Sequence, residues 1–183
     1  MIRVIAFLSL FAFASVASAQ QTSGYARNGL ELGAGFGLAG EDFSLDNLSF
    51  DDTAAANMIV GYRFHPHLGV EGRFEHTFNF DANVSGVRAT VWSLTANGLV
   101  YFTTGQFQPY FELGIGVGQG ELDFRGTNSN TTDAMGRVGL GLDSYVTPNI
   151  AIAAEFGYDF GFGDLSNFNY WTMGAQFLSL IHI

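Results

Sequence analysis

Strict alternation of apolar residues with small or polar ones is the feature that most constrains the fold of this chain. Residues 150–160, IAIAAEFGYDF, show it clearly. One set of alternate positions is apolar throughout, comprising Ile150, Ile152, Ala154, Phe156, Tyr158 and Phe160. The intervening set holds only small or acidic residues, namely Ala151, Ala153, Glu155, Gly157 and Asp159. Because successive side chains of a β-strand point to opposite faces, the pattern predicts a strand with two chemically different faces.

The same alternation recurs along the rest of the chain. It occupies eight segments, at roughly 29–39, 54–64, 68–80, 88–102, 109–119, 134–146, 150–160 and 168–177. A soluble sandwich would carry many Lys and Glu residues on its polar face, whereas this chain has no Lys and only 13% charged residues. The pattern predicts an all-β fold, an eight-stranded antiparallel up-and-down transmembrane β-barrel, with the apolar face toward lipid. The alternative is a soluble lipocalin-like barrel, which places its apolar residues inside.

The predicted connections alternate in length. Three are short, at 65–67, 103–108 and 147–149, and four are longer and polar, at 40–53, 81–87, 120–133 and 161–167. Outer-membrane barrels have short periplasmic turns and longer extracellular loops. Aromatic residues near the strand ends predict girdles at the two membrane interfaces, formed by Tyr62, Phe64, Phe78, Phe80, Trp92, Phe102 and Trp171.

Charged residues fall mainly on the polar face, which would line the barrel interior. The predicted interior cluster comprises Glu31, Arg63, Glu71, Arg73, Glu75, Glu112, Arg137, Asp143, Glu155 and Asp159. An eight-stranded barrel is barely wide enough for its own side chains, and buried charges must be paired. The cluster is therefore either an ionic plug or the lining of a narrow, cation-preferring pore.

The first residues have the organisation of a secretory signal peptide. Arg3 precedes an apolar run at 4–14, and Ala17-Ser18-Ala19 forms a small-residue cleavage site. The run is too short for a transmembrane helix. We therefore expect a signal peptide at 1–19 and a barrel domain at 20–177.

Several stretches resemble a known family. They are GYRFHPHLGVEGRFE (61–75), WSLTANGLVYF (92–102), PYFELGIGVG (109–118) and VGLGLDSYVTPNIAIAAEFGY (138–158). The chain resembles the OmpA-like and OmpX-like eight-stranded outer-membrane barrels of Gram-negative bacteria. That resemblance implies export to the outer membrane, contact with its lipid and lipopolysaccharide, and insertion by the barrel-assembly machinery.

The last strand carries part of the family's assembly signal. Thr172, Gly174 and Phe177 fit its pattern, but Ser179 stands where a second aromatic residue is usual. The final hexapeptide LSLIHI, 178–183, resembles the translated end of a sequencing-library adapter. We expect these six residues to be non-native.

Other kinds of chemistry find little support. The net charge is −10 and all seven cationic residues are Arg, so nucleic acid is not expected as a partner. His76 and Ser93 have opposite parity, which disfavours a lipid-deacylating pair. The two His residues of His65-Pro66-His67 are too few for a metal site. Gly-rich stretches such as GIGVGQG lack the helix that a nucleotide loop requires. We expect neither an enzyme nor a cofactor.

The expected role is structural, in envelope integrity, with limited permeation of small solutes or ions. The alternative is a surface adhesin or immune-interaction barrel that binds host or surface ligands through loops 41–53 and 120–133. The least favoured alternative is a lipid A-modifying enzyme. An acidic surface could approach lipopolysaccharide through bridging divalent cations.

Overall fold

Eight long antiparallel strands close into a barrel. The computed structural model describes residues 24–25, 28–43 and 48–181. The strands are β1 (Gly29–Phe43), β2 (Thr53–His65), β3 (Leu68–Thr77), β4 (Val87–Tyr101), β5 (Phe107–Phe124), β6 (Thr127–Thr147), β7 (Ile150–Gly161) and β8 (Phe168–Ile181). Each strand pairs with its neighbours in sequence, and β8 pairs with β1 from Leu30↔Ile181 to Phe43↔Phe168. The predicted eight-stranded up-and-down barrel is therefore confirmed.

The two faces of each strand point as the alternation predicted. Large apolar side chains face outward; Phe36, Met58 and Ile115 are 62%, 61% and 65% exposed. The alternate residues point inward, and Glu155 and Asp159 from the 150–160 segment are buried. This orientation is the reverse of a lipocalin, so the soluble alternative is excluded.

The connections differ at the two ends of the barrel. At one end β2–β3 and β6–β7 are joined by the two-residue turns Pro66–His67 and Pro148–Asn149, and β4–β5 by residues 102–106. At the other end the chain makes longer connections after β1, β3 and β7, and the last of these contains a 3-10 turn at Gly163–Leu165. Of the connection after β1, residues 48–52 are among those described.

One predicted loop is wrong. Residues 120–133 form a long hairpin, because β5 and β6 stay paired as far as Phe124↔Thr127. Arg125 and Gly126 make the turn with φ of 53° and 88°. Two successive positive φ values are typical of the type I′ turn, whose twist matches that of the flanking strands. The polar sequence TNSNTTD at 127–133 had resembled a loop, yet it is strand.

One predicted girdle residue is also wrong. Phe80 is 0% exposed and lies inside the barrel, whereas Phe78 is 47% exposed. The alternation is interrupted because Phe78 and Asn79 are both exposed. The short strand Phe80–Asp81 then resumes pairing with β4, with Phe80 opposite Ala89, which also points inward. A shift of one residue moves every following side chain to the other face.

Apolar side chains fill the barrel toward both ends. At the end with the longer connections a buried cluster includes Phe50, Phe80, Met135, Leu165 and Phe168. Phe43 packs against it, with its ring centroid 5.1–5.5 Å from those of Phe50, Phe80 and Phe168. At the opposite end a second cluster comprises Ile59, Tyr145, Ala151, Ala153, Leu178 and Leu180. Polar and charged residues occupy the middle of the barrel and extend into the second cluster, where Glu31 pairs with Leu180 and Asp143 with Ala153.

The predicted segments at the two termini are covered only in part. The predicted signal peptide, 1–19, lies outside the described residues. Leu178–Ile181 of the predicted tail continue β8 and pair with β1, while residues 182 and 183 are not described. Among the described residues, none belongs to a helix long and apolar enough to cross a membrane.

Candidate functional site

The ten predicted interior charges all point into the barrel, and each is at most 8% exposed. They occupy the alternate strand positions whose side chains point into the barrel. Glu31 comes from β1, Arg63 from β2, Glu112 from β5, and two or more each from β3, β6 and β7. Six of the eight strands thus bring together charges that lie up to 128 positions apart, from Glu31 to Asp159. The three arginines organise the cluster into two groups.

Arg137 is the centre of the larger group. Its Nε donates to Glu112 Oε1 at 2.6 Å and its Nη2 to Glu155 Oε1 at 2.7 Å. Its Nη1 also donates to Asp159 and lies 3.5 Å from Glu75 Oε1. One guanidinium group therefore contacts four carboxylates. These contacts use the N–H donors of Nε, Nη1 and Nη2.

Arg73 completes this group from the neighbouring side of the barrel. Its Nε donates to Glu71 Oε1 at 2.9 Å, and its Nη2 donates to Glu155 Oε2 at 2.7 Å. Tyr110 donates its hydroxyl to the same Oε2 at 2.6 Å. Glu155 therefore links Arg73 and Arg137 through its two oxygens, so the segment 150–160 contributes the bridge of the cluster.

Arg63 forms a second group nearer the end with the short turns. Its Nη1 donates to Gln108 Oε1 at 2.5 Å, and its Nε lies 3.3 Å from Glu31 Oε1. Its guanidinium carbon lies 3.5 Å from the centre of the Tyr101 ring, a cation–π contact. The nearest oxygen of Asp143 is 3.7 Å from its Nη2. Arg63 thus meets two carboxylates, an amide and an aromatic face.

The interior contains more acids than bases. Three guanidinium groups face seven carboxyl groups in the set of ten. A cavity of about 10 Å³ lies beside Asn57, Glu75 and Gln176. A cavity of that size has room for about one water molecule. At this point the described side chains leave room for about one water molecule, as expected for the narrow interior of an eight-stranded barrel.

The prediction missed the uncharged partners of the arginines. Tyr101, Tyr110 and Gln108 are buried and contact the cluster. Tyr145 is buried beside Arg63's group. All four have inward parity on β4, β5 or β6, so the alternation would have revealed them. The predicted cluster omits them because it comprises only charged side chains, and these four residues are Tyr or Gln.

Comparison with known proteins places this geometry in a family. The family model for the outer membrane protein beta-barrel domain matches residues 9–177. The chain belongs to this family. A comparison with curated proteins finds no match.

Solved outer-membrane barrels share the fold. Neisserial surface protein A is 19% identical with a TM-score of 0.71, covering 88% of this chain and 100% of that one. The N-terminal β-barrel domain of Pseudomonas aeruginosa OprF is 16% identical with a TM-score of 0.59, covering 85% and 98%. Yersinia pestis Ail, solved with the heparin analogue sucrose octasulfate, is 21% identical with a TM-score of 0.55, covering 83% and 99%.

The chain is accordingly an outer-membrane protein of the Gram-negative envelope. This location indicates which surfaces of the barrel face lipid and which face water. The outward apolar band faces lipid, and we assign the end with the short turns to the periplasm, because outer-membrane barrels have short periplasmic turns. Tyr62, Phe64 and Phe102 lie on the outer surface near that end. Phe78, Trp92 and Trp171 lie near the extracellular end, where Phe156 stacks on Trp171 at 6.4 Å.

Among the described residues, negative charge outside the barrel interior is confined to the extracellular end. The described acids there are Glu41, Asp42, Asp51, Asp52, Asp81, Glu121, Asp123, Asp133 and Asp164. Arg88 and Arg125 are the basic residues at this end, and Arg88 pairs with Asp81 at 3.1 Å. In the described part of the periplasmic turns there is no Asp or Glu. The extracellular surface is therefore acidic.

The remaining candidate residues do not assemble into a reactive site. His76 is on the outer surface beside Phe78, whereas Ser93 is inside and lies 3.3 Å from the Tyr170 hydroxyl. His65 and His67 have ring centroids 5.9 Å apart, and His67 Nδ1 lies 2.8 Å from the Tyr101 carbonyl oxygen. Within the described residues no cluster of three or more His, Cys, Asp or Glu has metal-binding geometry.

The assembly-signal residues occupy the middle of β8. Thr172 and Gly174 point inward, whereas Phe177 is 54% exposed on the lipid face. Ser179 pairs with Leu32 of β1 and Ile150 of β7. Recognition of this strand by the assembly machinery stays a prediction.

Proposed function

We propose that this barrel is a non-enzymatic structural protein of the outer membrane that supports envelope integrity. The observation that carries the proposal is the filled interior. An ionic cluster of three arginines and seven acids extends from the middle of the barrel to the end with the short turns, where it lies beside one apolar cluster, and a second apolar cluster closes the other end. Such an interior stabilises the wall of the barrel and leaves little room for solutes or ions to pass through it.

The cross-strand arrangement of the ion pairs supports this role. Arg137 on β6 contacts acids of β3, β5 and β7, and Arg73 on β3 contacts Glu155 on β7. The cluster therefore ties opposite walls of the barrel together. A barrel that is cross-linked in this way and carries an apolar outer band stabilises the surrounding bilayer without binding a ligand.

Deletion of the gene in its host tests the structural role. We expect the deletion strain to take up a hydrophobic dye faster and to grow less well in detergent. The wild-type gene should restore the barrier, and so should a variant that lacks residues 122–129 of the extracellular hairpin. Unchanged dye uptake and detergent resistance in the deletion strain would contradict the proposal.

The sequence also predicts limited permeation of small solutes or ions. Conductance measurements in a planar bilayer distinguish permeation from a purely structural role. A filled interior predicts that purified barrel gives no discrete conductance while a general porin, added as a control, conducts. Cation-selective current that is lost in the double variant Glu71→Gln, Glu75→Gln would instead establish a pore through the cluster. Such a result would leave the fold intact but replace the plug with a channel.

A surface-binding role is the second candidate, and the protruding β5–β6 hairpin favours it. Its outer residues 122–131 extend beyond the point where β6 pairs with β7, which is Met135↔Gly161. Ail has been solved with a polyanionic heparin analogue, but the acidic extracellular end here favours a cationic partner. Deleting 122–129 should abolish adhesion while leaving the envelope barrier unchanged if this role holds.

A lipid A-modifying activity is the least favoured candidate. His76 and Ser93 lie on opposite sides of the same sheet, so they cannot act on one ester. Unchanged lipid A on overexpression is the expected result, measured by mass spectrometry of extracted lipid.

A further inference from the structure

A groove crosses the lipid-facing surface of β2, β3 and β4. Its volume is about 520 Å³, and its lining includes Val60, Tyr62 and Val70 as walls, with Gly72, Ala96 and Gly98 as the floor. On the far side, Leu113 and Ile115 of β5 pair with Gly98 and Ala96 and are 58% and 65% exposed. Small residues thus lie between two ridges of large apolar side chains.

The glycines of the floor differ from other glycines on the same outer surface. The ring of Trp171 covers Gly40, and the ring of Phe160 covers Gly136. By contrast, a Cβ placed on Gly72 would meet only the Val60 carbonyl oxygen, at 3.8 Å. A Cβ on Gly98 would meet only the Leu113 carbonyl oxygen, at 3.9 Å. Nothing within the described part of the protein therefore requires glycine at these two positions, although glycine weakens a strand.

The groove lies in the periplasmic half of the membrane. Gly98 is three residues from Tyr101, the end of β4, and Gly72 is four residues from Leu68, the start of β3. At about 3.3 Å per residue, the floor lies roughly 10–13 Å from the periplasmic turns. The periplasmic leaflet of an outer membrane consists of phospholipid, so phospholipid chains surround the groove.

We propose that the groove binds one acyl chain of a periplasmic-leaflet phospholipid, which covers Gly72 and Gly98 as aromatic rings cover Gly40 and Gly136. A methylene group is about as large as a water molecule, about 30 Å³, so the groove has the volume of roughly 17 methylene groups. That is about one acyl chain. Tyr62 lies on the side nearer the periplasmic turns, and Tyr is enriched near membrane interfaces because its ring is apolar and its hydroxyl is polar.

Native mass spectrometry of the barrel, extracted from membranes in mild detergent, tests the proposal. We expect the wild type to retain one phospholipid per barrel. The variant Gly72→Leu, Gly98→Leu fills the groove and should retain about tenfold less, since displacing even two buried methylene groups lowers affinity by that factor. The matched control is Ala154→Leu, Ala175→Leu, which adds bulk at exposed lipid-facing positions on β7 and β8 and should retain lipid like the wild type.

Heat-modifiable migration in gels shows whether each variant is folded. If the leucine variant does not fold, Gly72→Ala, Gly98→Ala replaces it, because both Cβ atoms have room, and it should still reduce retention. Equal retention by the groove-filling variant and the wild type would overturn the proposal, as would a wild type without bound lipid. A retained mass matching lipopolysaccharide, or a dimer lost in the groove-filling variant, would also overturn it in favour of another occupant.

Discussion

At the scale of single residues, position inside or outside the barrel decides what a charge contributes. Arg137 is 0% exposed and contacts four carboxylates, whereas Arg88 makes one exposed ion pair with Asp81. Removing one partner of a buried cluster leaves uncompensated charge in a medium that solvates it poorly. Exposed ion pairs contribute little, since water and salt screen them. The two arginines therefore form a natural pair for comparison.

We predict that Arg137→Met lowers the free energy of unfolding by about 3–5 kcal/mol, because Asp159 loses its arginine partner and Glu75, Glu112 and Glu155 keep only Arg73. Urea unfolding of the barrel in lipid vesicles, followed by Trp fluorescence, gives this value. Arg88→Met is the control and should leave the unfolding midpoint nearly unchanged. Equal effects of the two substitutions would show that the interior cluster does not stabilise the fold.

Phe80 provides a second test at the residue scale. Simple alternation predicts that its side chain faces lipid, whereas the structure places it inside the barrel. Phe80→Ala should cost about 3–5 kcal/mol of unfolding free energy, since it opens a cavity in the extracellular apolar cluster. Phe78→Ala should cost less, because its side chain is 47% exposed and its loss opens no internal cavity. The same urea experiment measures both, and the opposite order would restore the predicted girdle position of Phe80.

At the scale of elements, the strands of the membrane-spanning part were predictable and their extracellular extensions were not. Lipid on one side and a narrow interior on the other impose alternation on each spanning strand. Above the membrane, residues 127–133 of β6 meet water on both faces, so no alternation marks them. The register shift at residues 78–79 is invisible for a related reason. A single irregularity reverses the parity of every later residue in the strand, and Phe80 fits either face by composition.

The hairpin turn leads to an element-scale prediction. Arg125 has φ of 53°, a left-handed conformation that costs a residue with a Cβ about 1–2 kcal/mol. Asn tolerates this conformation better, and Asn-Gly is a preferred type I′ turn. Arg125→Asn should therefore slow amide hydrogen exchange across residues 120–131. Gly126→Val, at φ of 88°, should accelerate it, and an unchanged rate in both variants would contradict the turn assignment.

At the scale of the whole molecule, the same alternation that predicted the barrel also predicted which charges meet inside it. Inward parity collects Glu31, Arg63, Arg137 and Glu155 from four different strands. Their pairing could not be predicted, because it depends on the relative stagger of strands around the closed barrel. The lipid-facing groove could not be predicted either, since it requires Gly72 and Gly98 to lie on neighbouring strands without a covering ring.

The distribution of connections and charge predicts the orientation of the molecule, which insertions in two matched turns can test. Arg125–Gly126 lies at the end with the longer connections and the acidic surface, and Pro148–Asn149 lies at the opposite end. An epitope inserted between Arg125 and Gly126 should be labelled by antibody on intact cells. The same epitope between Pro148 and Asn149 should be labelled only after the outer membrane is permeabilised, because short turns face the periplasm. Labelling of the second insertion alone on intact cells would mean that the acidic end faces inward, and the extracellular hairpin would then be unavailable to any surface partner.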